Sequence, residues 1–245
     1  ITMPQTKSLL DFMDWAKATL KAWEKLPGKE KRKLRHVPLM VFNRAKQAAI
    51  DMRLLKPTNI DDPDSKTNRV VKEAKRIYDE SNAYQGTQLI FSDMYQSPEV
   101  KDKYLDDDNT LPNPAYGLDR FNLYEDIKKK LVKLGIPEKE IAVINDYEGE
   151  KRNALFDNIN NGNVRILLGS TEKLGVGVNV QERLAGLHHI DAPPRPMDFE
   201  QRNGRIIRQG NLHAKMDKPI EIVTYGVEKT LDATAYQRLA IKQKF

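Results

Sequence analysis

The chain has 245 residues, with 41 Lys and Arg against 35 Asp and Glu, four His and no Cys, giving a net charge of +6. The missing cysteine excludes disulfides and thiolate metal sites, and four histidines (His36, His188, His189 and His213) make a zinc site unexpected. No apolar run approaches the roughly 18–20 residues that a membrane span needs. A modest basic balance suits a polyanionic partner, and it suits ordinary surface charge equally well.

The length allows one large domain, or one medium domain with a helical appendage. The opening Ile1-Thr2-Met3-Pro4 carries no signal-peptide pattern. With no initiating Met it reads as a piece excised from a longer protein, soluble and cytoplasmic. Residues 1–60 read as a helical N-terminal segment. Leu9, Leu10, Phe12, Met13, Trp15, Leu20 and Trp23 recur at helical spacing. A basic run, Lys29 to His36, follows; it suits either phosphate contacts or a solvated helix end. A second apolar segment runs from Met40 to Leu54 and stops before Pro57. Residues 57–66, with Pro57, Asn59, Asp61, Asp62, Pro63, Asp64 and Ser65, read as a linker.

From residue 66 to 245 the pattern alternates between helices and strands. Val70, Val71, Ala74, Ile77 and Tyr78 form one helix face. Thr87–Ser92 reads as a buried strand, followed by an irregular insertion over 93–118 that carries Asp102, Asp106, Asp107 and Asp108. Phe121, Tyr124, Ile127, Leu131 and Leu134 predict a helix ended by Gly135 and Pro137. Strands are expected at 141–144, 164–168, 188–190 and 220–225, with helices at 150–160 and 229–243. Short strands separated by helices of ten to fifteen residues imply an α/β fold, a parallel sheet flanked by helices on both faces. Such sheets bind ligands at the carboxyl ends of their strands.

Two clusters carry the chemistry. In the first, Gly169-Ser170-Thr171 to Gly175-Val176-Gly177-Val178-Asn179, an apolar strand runs into a polar turn with several glycines. That composition lets a backbone approach a phosphate closely, and it also suits any tight strand-to-helix connection. No Walker A pattern occurs in the chain. The second cluster is Asp198 to Gly210. On a continuous helix, Gln201, Arg205 and Arg208 would share one face. Paired arginines there suit phosphate oxygens; a solvated basic face is the alternative. A glycine inside that helix, Gly204, favours a close contact.

The first cluster resembles motif V of superfamily 2 helicases and translocases, with the Ser-Thr-x3-Gly-x-Gly-x-Asn arrangement of the Swi/Snf-like group. Gln201-x3-Arg205-x2-Arg208-Gln209-Gly210 is similar to motif VI, and Gln88 to Ser92 to the motif IV strand. Arg152 to Gly162 resembles the helix that precedes motif V, and Asp191 and Pro196 match elements between the two motifs. The stretch from Leu187 to Asn211 is also similar to large helicase proteins of phages and mobile elements, some fused to a DNA methylase. The resemblance implies a RecA-like C-terminal lobe of an ATP-dependent motor. Arg205 and Arg208 would be arginine fingers. Gln201, Gly175, Gly177 and Asn179 would belong to the ATP side. Ser170, Thr171, Phe91 and Ser92 would meet the nucleic-acid backbone. ATP and Mg²⁺ would be held mainly by an N-terminal RecA-like lobe of the same polypeptide, and the nucleic acid would be double-stranded DNA. Alone, the lobe would be inactive. The other reading is a non-catalytic DNA-binding scaffold that keeps a relic helicase fold. Pro193-Pro194 in place of an aromatic, and the insertion at 93–118, depart from the Swi/Snf pattern.

Overall fold

The computed structural model describes residues 1–97, 119–175, 178–205, 210–216, 218 and 220–242. Most of the insertion, together with Gly177 and Arg208, lies outside the described residues.

The chain opens with β1 (Thr2–Met3) and then three helices, α1 (Lys7–Glu24), α2 (Gly28–Lys33) and α3 (Val37–Ile50). Next come α4 (Lys66–Glu80), β2 (Thr87–Phe91), α5 (Leu123–Lys133), β3 (Ile141–Val143), α6 (Gly149–Asn160), β4 (Ile166–Gly169) and α7 (Thr171–Gly175). The last third holds β5 (Leu184–His189), α8 (Pro196–Asn203), α9 (Leu212–Lys215), β6 (Glu221–Thr224), β7 (Gly226–Val227) and α10 (Leu231–Lys242). Helix starts follow their caps. Thr6, Ser65 and Asn122 each accept a backbone N–H of the first turn of α1, α4 and α5.

Five strands form one parallel sheet in the order β3-β4-β2-β5-β6. Because side chains alternate across a strand, the sheet builds two cores. Ile90, Ile166, Leu168 and Val143 face α4 and α5 in one of them. Leu89, Phe91, Leu167 and Leu187 face α6 and α7 in the other. This is the expected α/β architecture, with helices on both faces. β5 begins four residues before the predicted strand at His188, since Leu184, Ala185 and Leu187 are as buried as the histidines. A short apolar Leu-Ala-Gly-Leu run carries little periodicity by which to recognise a strand. Among the described residues no helix is long and apolar enough to cross a membrane.

The N-terminal helices are tied to the sheet. Ile50 and Leu54 belong to the same core as α4 and α5. Arg53 bridges Asp51, Asp61 and Asp126. β1 runs parallel to β7, with Met3 opposite Val227. The linker residues are pinned as well, for Asp61 pairs with Lys130 and Asn59 donates to the Met52 carbonyl at 2.7 Å. Beside β7, at the carboxyl end of the sheet, Lys66 is buried in the first turn of α4, where it donates to the Ile190 carbonyl at 3.0 Å and pairs with Asp232 of α10.

Candidate functional site

Parallel strands deliver their carboxyl ends to one rim, and here three of them converge. β2 leads into Ser92-Asp93-Met94, β4 into Ser170-Thr171, and β5 into Ile190-Asp191. Helix α8 crosses this rim, placing Asp198 and Arg202, four residues apart, on its buried side.

Arg202 has no exposed surface and holds the rim together. Its Nε donates to Thr171 Oγ1 at 2.8 Å, its Nη1 to the Asp191 carbonyl at 2.9 Å, and its Nη2 to Asp93 Oδ2 at 2.8 Å and Asp191 Oδ1 at 3.1 Å. The guanidinium lies 5.2 Å from the Phe91 ring centroid, an edge of cation–π attraction. The two carboxylates are bonded in turn. Asp191 Oδ2 accepts from Ser92 Oγ at 3.0 Å, Asp93 N–H at 2.6 Å and Met94 N–H at 3.1 Å. Asp93 accepts from the Thr171 N–H at 2.7 Å and its hydroxyl at 2.8 Å. One cation thus joins the ends of β2, β4 and β5 to α8. A fully bonded, buried charge of this kind specifies geometry more than it adds stability.

The paired histidines at the end of β5 support the rim as neutral rings. His189 receives Arg202 Nη1 at 3.4 Å on Nδ1, which leaves Nε2–H to donate to Asn203 Oδ1 at 2.8 Å. Burial first, and the Arg202 charge second, push its pKa down to about 3. His188 donates from Nε2 to Gln88 Oε1 at 2.8 Å and accepts from the Tyr225 hydroxyl at 2.7 Å. Burial likewise pushes it down to about 3. Among the described residues no cluster of His, Asp or Glu is arranged to hold a metal ion.

Beside Arg202 an open cleft of about 530 Å³ is lined by Ser170, Thr171, Lys173, Arg195, Asp198 and Gln201, among others. The structure therefore brings Ser170, Thr171 and Gln201 to one place. It does not do the same for the other candidates. Phe91 and Ser92 are fully buried, Phe91 stacked on His189 with centroids 6.1 Å apart and Ser92 bonded to Asp191. Neither side chain reaches the surface, where a nucleic-acid backbone was expected to meet them. Gln201 and Arg205 do not share the single helix face expected of them, and Arg208 lies outside the described residues. α8 ends at Asn203, Gly204 is its C-cap, and Arg205 lies in the turn beyond. There Arg205 is buried, with Nη1 donating to the Val178 carbonyl at 2.8 Å. Gly175 closes α7. Asn179 is exposed, and its carbonyl accepts from Asn160 Nδ2 at 2.8 Å. Arg202 itself was missed. Motif comparison draws attention to Gln201, Arg205 and Arg208, and the one sequence signal for Arg202 was its spacing of four from Asp198, a second polar residue facing the core.

Residues 121–210 match the model of the helicase conserved C-terminal domain. Over those residues the chain resembles helicase C-terminal domains. The C-terminal domain of a SWI2/SNF2 ATPase from Sulfolobus solfataricus has the same RecA-like fold, with a TM-score of 0.59 and 15% identity over 100% of this chain and 85% of that one. The C-terminal part of the Fun30 ATPase domain aligns at a TM-score of 0.48 and 15% identity over 96% of this chain and 66% of that one. Dbp5 of S. cerevisiae, in a structure with RNA and ADP BeF3, aligns at 0.45 and 17% identity over 73% of this chain. The chain spans 35% of the length of that Dbp5 chain. No curated protein sequence matches significantly. The matched segment runs from the start of α5 to the turn after α8, so it includes the Thr171, Asp191 and Arg202 parts of the rim, while Asp93 is supplied from outside it.

Proposed function

We propose that this chain is the second motor lobe of an ATP-dependent DNA helicase or translocase. The observation that carries the reading is the rim itself. A helicase C-terminal domain ties the strand ends, the polar turn after β4 and the arginine-bearing helix α8 into one unit through Arg202. Such a unit moves as a piece, which is what a lobe needs in order to couple a nucleotide on one side to a polymer on the other.

The donor set fits half of a nucleotide site. The cleft offers the Gln201 amide and the Lys173 ammonium, and the sequence has no Walker A pattern to cradle a triphosphate. ATP and its Mg²⁺ accordingly belong mainly to the N-terminal lobe, and hydrolysis of the terminal phosphate supplies the free energy for movement. The residues of this chain act by position. Arg205 and Arg208 face the nucleotide when the lobes close and stabilise negative charge on the transferred phosphoryl group. Gln201 orients them, and Gly175, Gly177 and Asn179 shape the loop on which they rest. Arg205 leaves the Val178 carbonyl to do so, which makes its inward position the resting state of the lobe. Ser170 and Thr171 bear on the nucleic-acid backbone.

The test is ATP hydrolysis by the full-length parent protein and its Arg208→Ala variant, with and without duplex DNA, with the isolated chain as a blank. Turnover stimulated by DNA is expected in the parent, lowered about 10³-fold or more in the variant, and absent from the blank. Turnover indifferent to DNA and to the substitution would replace the motor with the scaffold reading.

A further inference from the structure

The charge of this chain is concentrated in one place. Residues 17–36 hold eight Lys and Arg against two Glu, a balance of +6, which equals the net charge of the whole chain. The other 225 residues are electrically balanced. These twenty residues are the last two turns of α1, all of α2 and the turn into α3.

Lys17 pairs with Asp14 at 3.2 Å, and six of the other cations are exposed and unneutralised. Lys21, Lys25, Lys29, Arg32, Lys33 and Arg35 all lie at the surface. Among the described residues none of these six forms an ion pair, while elsewhere Arg53, Lys66, Arg76, Lys130 and Arg202 each meet a carboxylate. The segment is nevertheless held in shape. Trp23 Nε1 donates to the Leu34 carbonyl at 2.9 Å, which closes α2 back onto the end of α1. Lys31 sits over the Trp23 ring, 5.6 Å from its centroid. A built arm of this kind presents its charges without first having to order a flexible tail.

Its placement points the same way. Lys46 of α3 lines a cavity with Asp93, Asp191 and Pro194, at the carboxyl rim of the sheet. Val37, where the arm joins α3, lies nine residues back along that helix, a distance of about 14 Å. That is about four base-pair steps of a duplex, so the arm joins α3 within reach of the rim.

We propose that the α1–α2 arm is a second nucleic-acid contact, a patch that grips phosphates beyond the motor's own track. An anionic membrane fits less well, since the cations cluster on α2 (Gly-Lys-Glu-Lys-Arg-Lys), which has no apolar side chain of its own, and the exposed Trp15 and Leu34 lie outside that helix. The contact is blind to sequence, because it meets only phosphates. The choice of nucleic acid as occupant rests on the motor reading, but its test does not require ATP turnover.

The experiment compares the chain with its Lys29→Gln, Arg32→Gln, Lys33→Gln, Arg35→Gln variant, binding a fluorescent 30-base-pair duplex across a salt series. Circular dichroism confirms that the variant keeps its helices. Each lost phosphate contact removes about 0.9 from the slope of log K against log salt. The expected result is a slope shallower by about 2–4 and at least tenfold weaker binding at low salt. Equal slopes and affinities in the two proteins would overturn the proposal. So would failure of the unaltered chain to bind DNA, or an effect of the substitutions on binding to phosphatidylserine vesicles but not to DNA. In the parent protein the same substitutions should raise the DNA concentration for half-maximal ATP turnover and leave the maximum in place. A parent that hydrolyses no ATP but still binds DNA through the arm would reject the motor and keep the contact.

Discussion

Arg202 has two carboxylates and a threonine hydroxyl around a guanidinium that never meets water. Removing one member of a buried ion cluster leaves the others unpaired and costs about 3–5 kcal/mol. Arg202→Met should therefore lower the stability of the chain by that amount in urea unfolding, although its volume is nearly kept. Asp93→Asn should cost less, since Asp93 is partly exposed and the amide retains an acceptor. If Arg202→Met left the urea midpoint where it was, the rim would not be held by this residue. The histidines set the pH behaviour. His188 and His189 are neutral when folded, with pKa near 3, against about 6.5 for an unfolded chain. Below pH 6.5 the unfolded chain gains protons that the folded chain refuses. Stability is therefore full above about 6.5 and falls toward pH 3, at about 1.4 kcal/mol per pH unit for each histidine. Urea midpoints at pH 7, 5.5 and 4 check this, and a midpoint that holds level from 7 to 4 would contradict it. Residue identities such as these were poorly legible beforehand. Ser170, Thr171 and Gln201 carried a motif and gathered at one cleft, whereas Phe91 and Ser92 carried a motif and were buried. A motif marks a position in the chain; burial depends on what packs over it.

At the scale of elements, the turn after β4 shows why its glycine was informative. A Cβ on Gly169 would come within 2.6 Å of Ile144 Cγ2 and 2.7 Å of Leu174 Cγ. The glycine serves the packing of α7 against the sheet, the more ordinary of the two readings its composition allowed. Gly169→Ala should destabilise the chain by about 1–3 kcal/mol through this overcrowding. Thermal unfolding measures it, and an unchanged midpoint would mean that Ile144 and Leu174 give way freely. Strands β2, β3 and β4 were readable because short, mostly apolar runs flanked by turns leave few alternatives. Arg165, the charge that interrupts one of them, is absorbed by stacking 3.7 Å from the Tyr78 ring and by donating to the Gly86 carbonyl at 3.1 Å. The end of α8 was read too far. A spacing of four and seven looks helical on paper, but Gly204 caps the helix and turns Arg205 toward Val178.

Across the whole molecule, the fold class followed from the alternation of short apolar runs and amphipathic helices, a pattern repeated often enough to survive local errors. What the pattern could not convey is long-range closure. The pairing of Lys66 with Asp232, the ladder between β1 and β7, and the pairing of Arg53 with Asp126 join residues far apart in sequence. No periodicity announces such partners; each depends on the completed sheet to bring its members together. The separation of charge belongs to this scale too. A balanced body bearing all of its net charge at one end is an electric dipole. In the field of a polyanion it feels a torque as well as a pull, and it turns arm-first within about one Debye length of contact, about 10 Å at 0.1 M salt. Orientation before collision raises the fraction of encounters that succeed and fades as ions are added. The arm on α1 and α2 thus sets which side of the molecule arrives first.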